Sequence, residues 1–172
     1  MSHALVTGGS GYFGSLLVER LLAAGHAVRV LDLNDAHDRP RSVELVQGDI
    51  RDPEVVRAAL ADIDVVYNNV AQVPLAKDHE LLRTVNVDGT RLLLDTCREF
   101  GVRKVVHTSS SAVFGIPREN PVLPSTVPSP AEEYGHAKLA AEWACLDAVR
   151  HGLDVSIVRP RTILGHGRLG IF

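Results

Sequence analysis

Short apolar runs alternate with longer amphipathic stretches along the whole chain. The runs HALV (3–6), AVRVLD (27–32), VELVQ (43–47), DVVYN (64–68), VRKVVHTS (102–109) and DVSIVR (154–159) are rich in Val, Ile and Leu and bounded by Gly, Asp or Pro. That is the pattern of strands buried on both faces. Between them, apolar positions recur at helical spacing over 13–24, 53–61, 79–100 and 132–150. Gly25 closes the first helix, and Asp52 before Pro53 opens the second as an N-cap followed by proline at the first helical position. Strands separated by helices imply a parallel sheet, because each parallel pair needs a crossover and the crossover helix covers the sheet. The expected class is α/β, one domain over residues 1–172.

The stretch 115–135 holds five of the nine prolines and reads as an irregular loop leaving the carboxyl end of the fifth strand, where such sheets bind ligands. After Val158 the segment RPRTILGHGRLGIF leaves the sixth strand and stops at Phe172 on apolar residues, which reads as a domain truncated at its C-terminus.

With 172 residues, 45% hydrophobic and 23% charged, the chain suits a single globular domain. Eighteen basic against 21 acidic side chains give a net charge of −3, without the footprint of a nucleic-acid or anionic-membrane binder. Cys97 and Cys145 have neither metal-ligand nor redox spacing, and the eight histidines show no zinc pattern. No apolar run approaches the roughly 20 residues of a membrane span, and no leader pattern opens the chain. A cytoplasmic protein without a metal is expected.

Gly8, Gly11 and Gly14 follow the first strand and head the first helix. Glycines there allow a tight turn and a close backbone approach to a pyrophosphate, whose charge the helix N-terminus favours. Asp32 ends the second strand, close to the ~20-residue interval at which an acid meets the ribose of a bound dinucleotide. Its carboxylate would accept from both ribose hydroxyls and repel a 2′-phosphate, favouring NAD over NADP; Arg39 and Arg41 further along the loop keep NADP open. Asp49 ends the third strand, where it could accept from an adenine amino group with Ile50 beside the ring. Read more plainly, Asp32 solvates a strand end and Asp49 caps a helix.

Tyr134 and Lys138 lie four residues apart on one face of the last helix, a spacing that lets an ammonium lower a phenol pKa from its usual ~10. Ser109, Ser110 and Ser111 follow the fifth strand and could hold a substrate oxygen beside the tyrosine, or simply satisfy loop backbone. No nucleophile elbow surrounds them.

The runs TGGSGYFG, GDIRD, NNVAQV, VNVDGT, TSSSAVFG, YGHAK and VRPRTILG, together with Asp32, resemble the extended short-chain dehydrogenase/reductase family, in particular its NAD-dependent epimerase/dehydratase branch. The resemblance implies a Rossmann-type doubly wound sheet, bound NAD(H) and tyrosine-dependent hydride chemistry. By motif position it places Gly8, Gly11, Phe13 and Gly14 at the pyrophosphate, Asp32 at the ribose, and Asp49 with Ile50 at the adenine. Val70 and Ala71 would line the cofactor, and Pro160 would begin the nicotinamide side. Ser110, Tyr134, Lys138 and Asn86 form the implied catalytic set. Phe114 departs from the family tyrosine and His166 from a common proline. The family's smaller substrate lobe, which follows this region, is absent from these 172 residues.

The function this implies is oxidation of a nucleotide-sugar by an NAD-dependent epimerase or dehydratase. Its rivals are a hydroxysteroid-type or carbonyl-reducing dehydrogenase, and a non-catalytic dinucleotide-binding module or inactive truncated fragment. Trp143, Leu139, Leu146 and Val149 form an apolar stripe at helical spacing. Such stripes are usually core, although in the resembled family the long helices often pair across a dimer axis.

Overall fold

The computed structural model describes residues 2–73 and 78–165; His166 lies outside them. The first half of the chain runs β1 (His3–Thr7), α1 (Tyr12–Ala23), β2 (Ala27–Asp32), β3 (Glu44–Gln47), α2 (Pro53–Leu60) and β4 (Val65–Asn68). The second half runs α3 (His79–Arg83), a π-helical turn (Thr84–Asp88), α4 (Gly89–Glu99), β5 (Lys104–Thr108), a 3-10 turn (Ser111–Phe114), α5 (Glu133–Arg150) and β6 (Val155–Val158). All neighbouring strands are parallel, in the order β3-β2-β1-β4-β5-β6. This is the doubly wound Rossmann arrangement. The chain starts at the centre, builds outward to β3, then crosses to β4, so a crevice opens beyond the carboxyl ends of β1 and β4 where the direction of winding reverses.

The alternation within β1 explains the two layers. Ala4 and Val6 join Val18 and Leu21 of α1 on one face, whereas Leu5 joins Val56, Leu60, Leu93 and Cys145 on the other. Side chains of period two on a strand require this division, and both faces are covered, so the strands carry no polar face.

The helix expected over 79–100 keeps its path but is not uniform. Gly89 N donates to Thr84 O, inserting one extra residue, and this π-helical turn carries Asn86 inward to near-complete burial. The stripe on α5, open between core and a face for a second copy, divides. Leu139 is buried, but Trp143, Leu146 and Val149 are 62%, 48% and 45% exposed, so they are not core.

Candidate active site

The carboxyl ends of all six strands bring the site together. At Gly8, φ is +67°, and a Cβ there would lie 3.1 Å from Val70 N. At Gly14 a Cβ would stand 2.1 Å from the Gly8 carbonyl oxygen, a backbone atom that cannot give way. The turn therefore closes only with glycine at both positions. Asp52, Asp78 and Glu132 cap α2, α3 and α5 through their side chains, whereas Gly11 caps α1 without a side-chain acceptor. The first turn of α1 thus has neither a side-chain cap at Gly11 nor an acidic residue of its own, which suits an anion.

Asp32 is held at this turn: its carboxylate accepts from Ser10 N at 3.0 Å and from Asn34 N at 3.0 Å. Arg39, one of the two arginines weighed for a 2′-phosphate, is occupied by Asp35 at 2.7 Å and by the Val43 carbonyl. Asp49 is gripped by Arg51, which approaches to 2.5 Å and holds the carboxyl below its ordinary range. A Cβ at Gly89 would lie 2.7 Å from Ile50 Cγ2, so this glycine lets α4 come close to Ile50.

Two adjoining hollows of about 400 and 560 Å³ run along the carboxyl ends of the strands. Asp32, Asp49, Ile50 and Val70 line the first; Phe13, Gly14, Ser110, Tyr134, Lys138 and Pro160 line the second; Gly8, Gly11 and Ala71 border both. Asn86, expected with the catalytic set, borders neither. Its Oδ1 accepts from Gln72 N at 2.9 Å and its Nδ2 donates to Gln72 O at 3.0 Å, so it holds the chain after β4 in position.

Tyr134 meets Ser110 because α5 can approach the 3-10 turn. A Cβ at Gly135 would stand 2.6 Å from Ala112 O, so only glycine permits the contact. Ser110 accepts from Ala112 N at 3.1 Å, the local role open to a loop serine, and its hydroxyl is near enough to Tyr134 to draw the phenol pKa downward. Ser109 instead turns inward and donates to Glu142 Oε1 at 2.6 Å.

The electrostatics correct one expectation. Burial raises the Tyr134 phenol above its usual value, the Ser110 hydrogen bond opposes this, and the Glu132 carboxylate adds to it. Lys138 does not reverse the balance: its Nζ lies 5.9 Å from the ring centroid and donates to the Thr108 carbonyl at 2.9 Å. Burial also pushes Lys138 down to about 8, opposed by Cys145 and Glu142. Desolvation sets the direction for both groups.

Several contributors carry no sequence motif. Glu142, almost fully buried, accepts two bonds from Arg159 at 2.8 and 2.7 Å, and the Arg159 guanidinium lies 5.1 Å from the Phe114 ring centroid. This cluster ties α5 to the ends of β5 and β6. Thr7 donates to Asn68 at 2.8 Å and accepts from Asn69 N and Val70 N, fixing the turn after β4. A Glu four residues after the lysine, and an Arg next to Pro160, are visible in the sequence but do not announce their pairing.

His107 completes the buried network, with Nδ1 3.1 Å from Asn68 Nδ2. Because the amide nitrogen is a donor, Nδ1 accepts and the ring proton sits on Nε2. Burial, helped by the Lys138 charge, lowers its pKa to about 3. The unfolded chain binds this proton near the usual value of about 6.5, so stability is intact above that pH and is lost as pH falls toward 3. The full loss is on the order of 5 kcal/mol. Urea unfolding across this range should show the slope, and His107→Gln should flatten it; an unchanged slope would assign acid sensitivity to other groups.

The sequence model described as the NAD dependent epimerase/dehydratase family matches residues 4–170. An uncharacterized protein, y4nG, of Sinorhizobium fredii is 55% identical over 98% of this chain and 43% of its own length. A mouse sterol-4-alpha-carboxylate 3-dehydrogenase (decarboxylating) is 34% identical over 93% of this chain and 45% of its own. The crystal structure of Thermus thermophilus UDP-glucose 4-epimerase in complex with NAD superposes with a TM-score of 0.84 at 33% identity, covering 91% of this chain and 54% of that one. The chain thus spans about half the length of these relatives.

Proposed function

Because the chain belongs to the NAD dependent epimerase/dehydratase family, we propose that it binds NAD(H) along the two hollows and supports oxidation of a secondary alcohol at Tyr134. The observation that carries this reading is the meeting, in one hollow, of the Gly8, Gly11 and Gly14 turn with Ser110, Tyr134 and Lys138.

The cradle fits the cofactor because the turn bordering it closes only with glycine, where a Cβ at Gly14 would strike the Gly8 carbonyl oxygen, so backbone and not side chain faces the hollow. Gly8, Gly11, Phe13 and Gly14 would hold the diphosphate, Asp32 the adenosine ribose, Asp49 and Ile50 the adenine, and Val70 and Ala71 the middle. Lys138 and Tyr134 would meet the second ribose, and Pro160 the nicotinamide. NAD, when bound, supplies the acceptor for the hydride leaving the alcohol carbon. Tyr134 Oη is the group placed to exchange a proton with the substrate hydroxyl, and Ser110 orients the substrate oxygen. The Lys138 ammonium leaves donors for a ribose while one faces Thr108 O.

A nucleotide-sugar is the first substrate reading, supported by the likeness to UDP-glucose 4-epimerase. The similarity to a sterol-carboxylate dehydrogenase favours a second, a hydroxysteroid-type alcohol, which would produce net NADH where an epimerase or dehydratase would not. Calorimetry should find NAD binding about tenfold or more tightly than NADP, since the Asp32 carboxylate meets the 2′-phosphate at short range. Folded protein that binds neither dinucleotide defeats the proposal.

The exposed Trp143, Leu146 and Val149 on α5 support pairing with a second copy of the chain. Sedimentation should then report a dimer that Trp143→Glu dissociates; a monomeric parent protein at tens of micromolar, roughly, removes that part of the reading.

A further inference from the structure

Two arginines flank Pro160 after β6 and meet opposite fates. Arg159 is bound into the Glu142 ion pair. Arg161 is exposed, borders the same hollow as Ser110 and Tyr134, and makes no hydrogen bond or ion pair with the described residues. Its place is fixed by backbone pairing: Ser109 N donates to Val158 O at 2.8 Å and Ser111 N to Pro160 O at 2.9 Å, so the segment leaving β6 runs beside the serine loop.

The charge of this hollow is one-sided. Among the described residues no carboxylate lines it, and its other cation, Lys138, is buried against Thr108 O. The neighbouring hollow, by contrast, carries Asp32 and Asp49. A guanidinium left unpaired on the wall of a reaction pocket presents a planar fork of donors matched to a carboxylate or phosphate.

Resting on the functional reading above, we propose that Arg161 selects substrates whose alcohol is accompanied by an oxyanion group, a carboxylate or a phosphate, and grips that group while Tyr134 addresses the hydroxyl. Both named relatives are consistent with such a requirement, one by its sterol-carboxylate and the other by its UDP-sugar. The competing anion is the diphosphate of the cofactor, which the glycine turn and the α1 amides already serve.

The test uses NAD-loaded protein and two probe pairs that differ in charge, UDP against uridine and 3-hydroxybutyrate against its methyl ester, titrated by calorimetry. At least one anionic probe should bind about tenfold more tightly than its neutral partner. Arg161→Gln should erase that preference, Arg161→Lys should recover part of it, and both should leave NAD affinity unchanged. Preference in the UDP arm assigns a nucleoside diphosphate, and preference in the hydroxy-acid arm a carboxylate. A parent protein without anionic preference, a preference that survives Arg161→Gln, or a parallel loss of NAD affinity overturns the proposal alone. Failure of the parent to bind NAD overturns the functional reading and this inference with it.

Discussion

Tyr134→Phe is expected to lower turnover of the complete enzyme by about 10³-fold while NAD affinity stays close to that of the parent. The substitution removes one oxygen atom. The ring remains packed against Leu82, Val87 and Ala137, so the fold has no reason to loosen. On the functional reading proposed above, what is lost is chiefly the hydroxyl that would accept the substrate proton. Conversion of an accepted substrate to product, beside NAD calorimetry on the same preparation, separates the two effects. Turnover retained in the variant would remove the tyrosine mechanism, and a matching fall in NAD affinity would make Tyr134 a binding residue first.

The second large effect is structural. Glu142→Ala should cost about 3 kcal/mol of stability, measured by urea unfolding. The change strands the Arg159 guanidinium and leaves the Ser109 hydroxyl without its acceptor. A fully buried pair would cost more, but the Arg159 side chain keeps 32% of its exposure and water recovers part of the loss. Because Glu142 links α5 to the strands preceding Ser110 and Pro160, NAD affinity should fall as well. Glu142→Gln, which preserves shape and some hydrogen bonds, should lose less of both. A loss of less than about 1 kcal/mol in Glu142→Ala would show that the cluster is no stronger than a surface ion pair.

Much of the architecture was legible along the chain because its causes are local. The period-two and helical repeats place strands and helices through the geometry of the backbone itself, and the steric demand at Gly8 and Gly14 arises within a few residues of each. The limits of such reading appear in the helix after β4. Its apolar spacing gives no hint that Asn86 would be turned inward, since the partner that rewards this is the backbone of Gln72, on a separate segment. Trp143 carries the same periodic signature whether its face meets core or solvent, and the fold leaves it in solvent.

By itself, then, the order of residues determined the strands, the crossovers, the glycine turn and the spacing that sets Tyr134 above Lys138 on one helix face. Those features depend on sterics and hydrogen bonds among near neighbours. Tertiary structure alone decided that Tyr134 is raised and not lowered, that Asn86 holds a loop, and that Arg159 is paired while Arg161, two residues on, is free of partners among the described residues. Each of these depends on how much water is excluded and which distant group arrives, and both quantities exist only once the elements have packed.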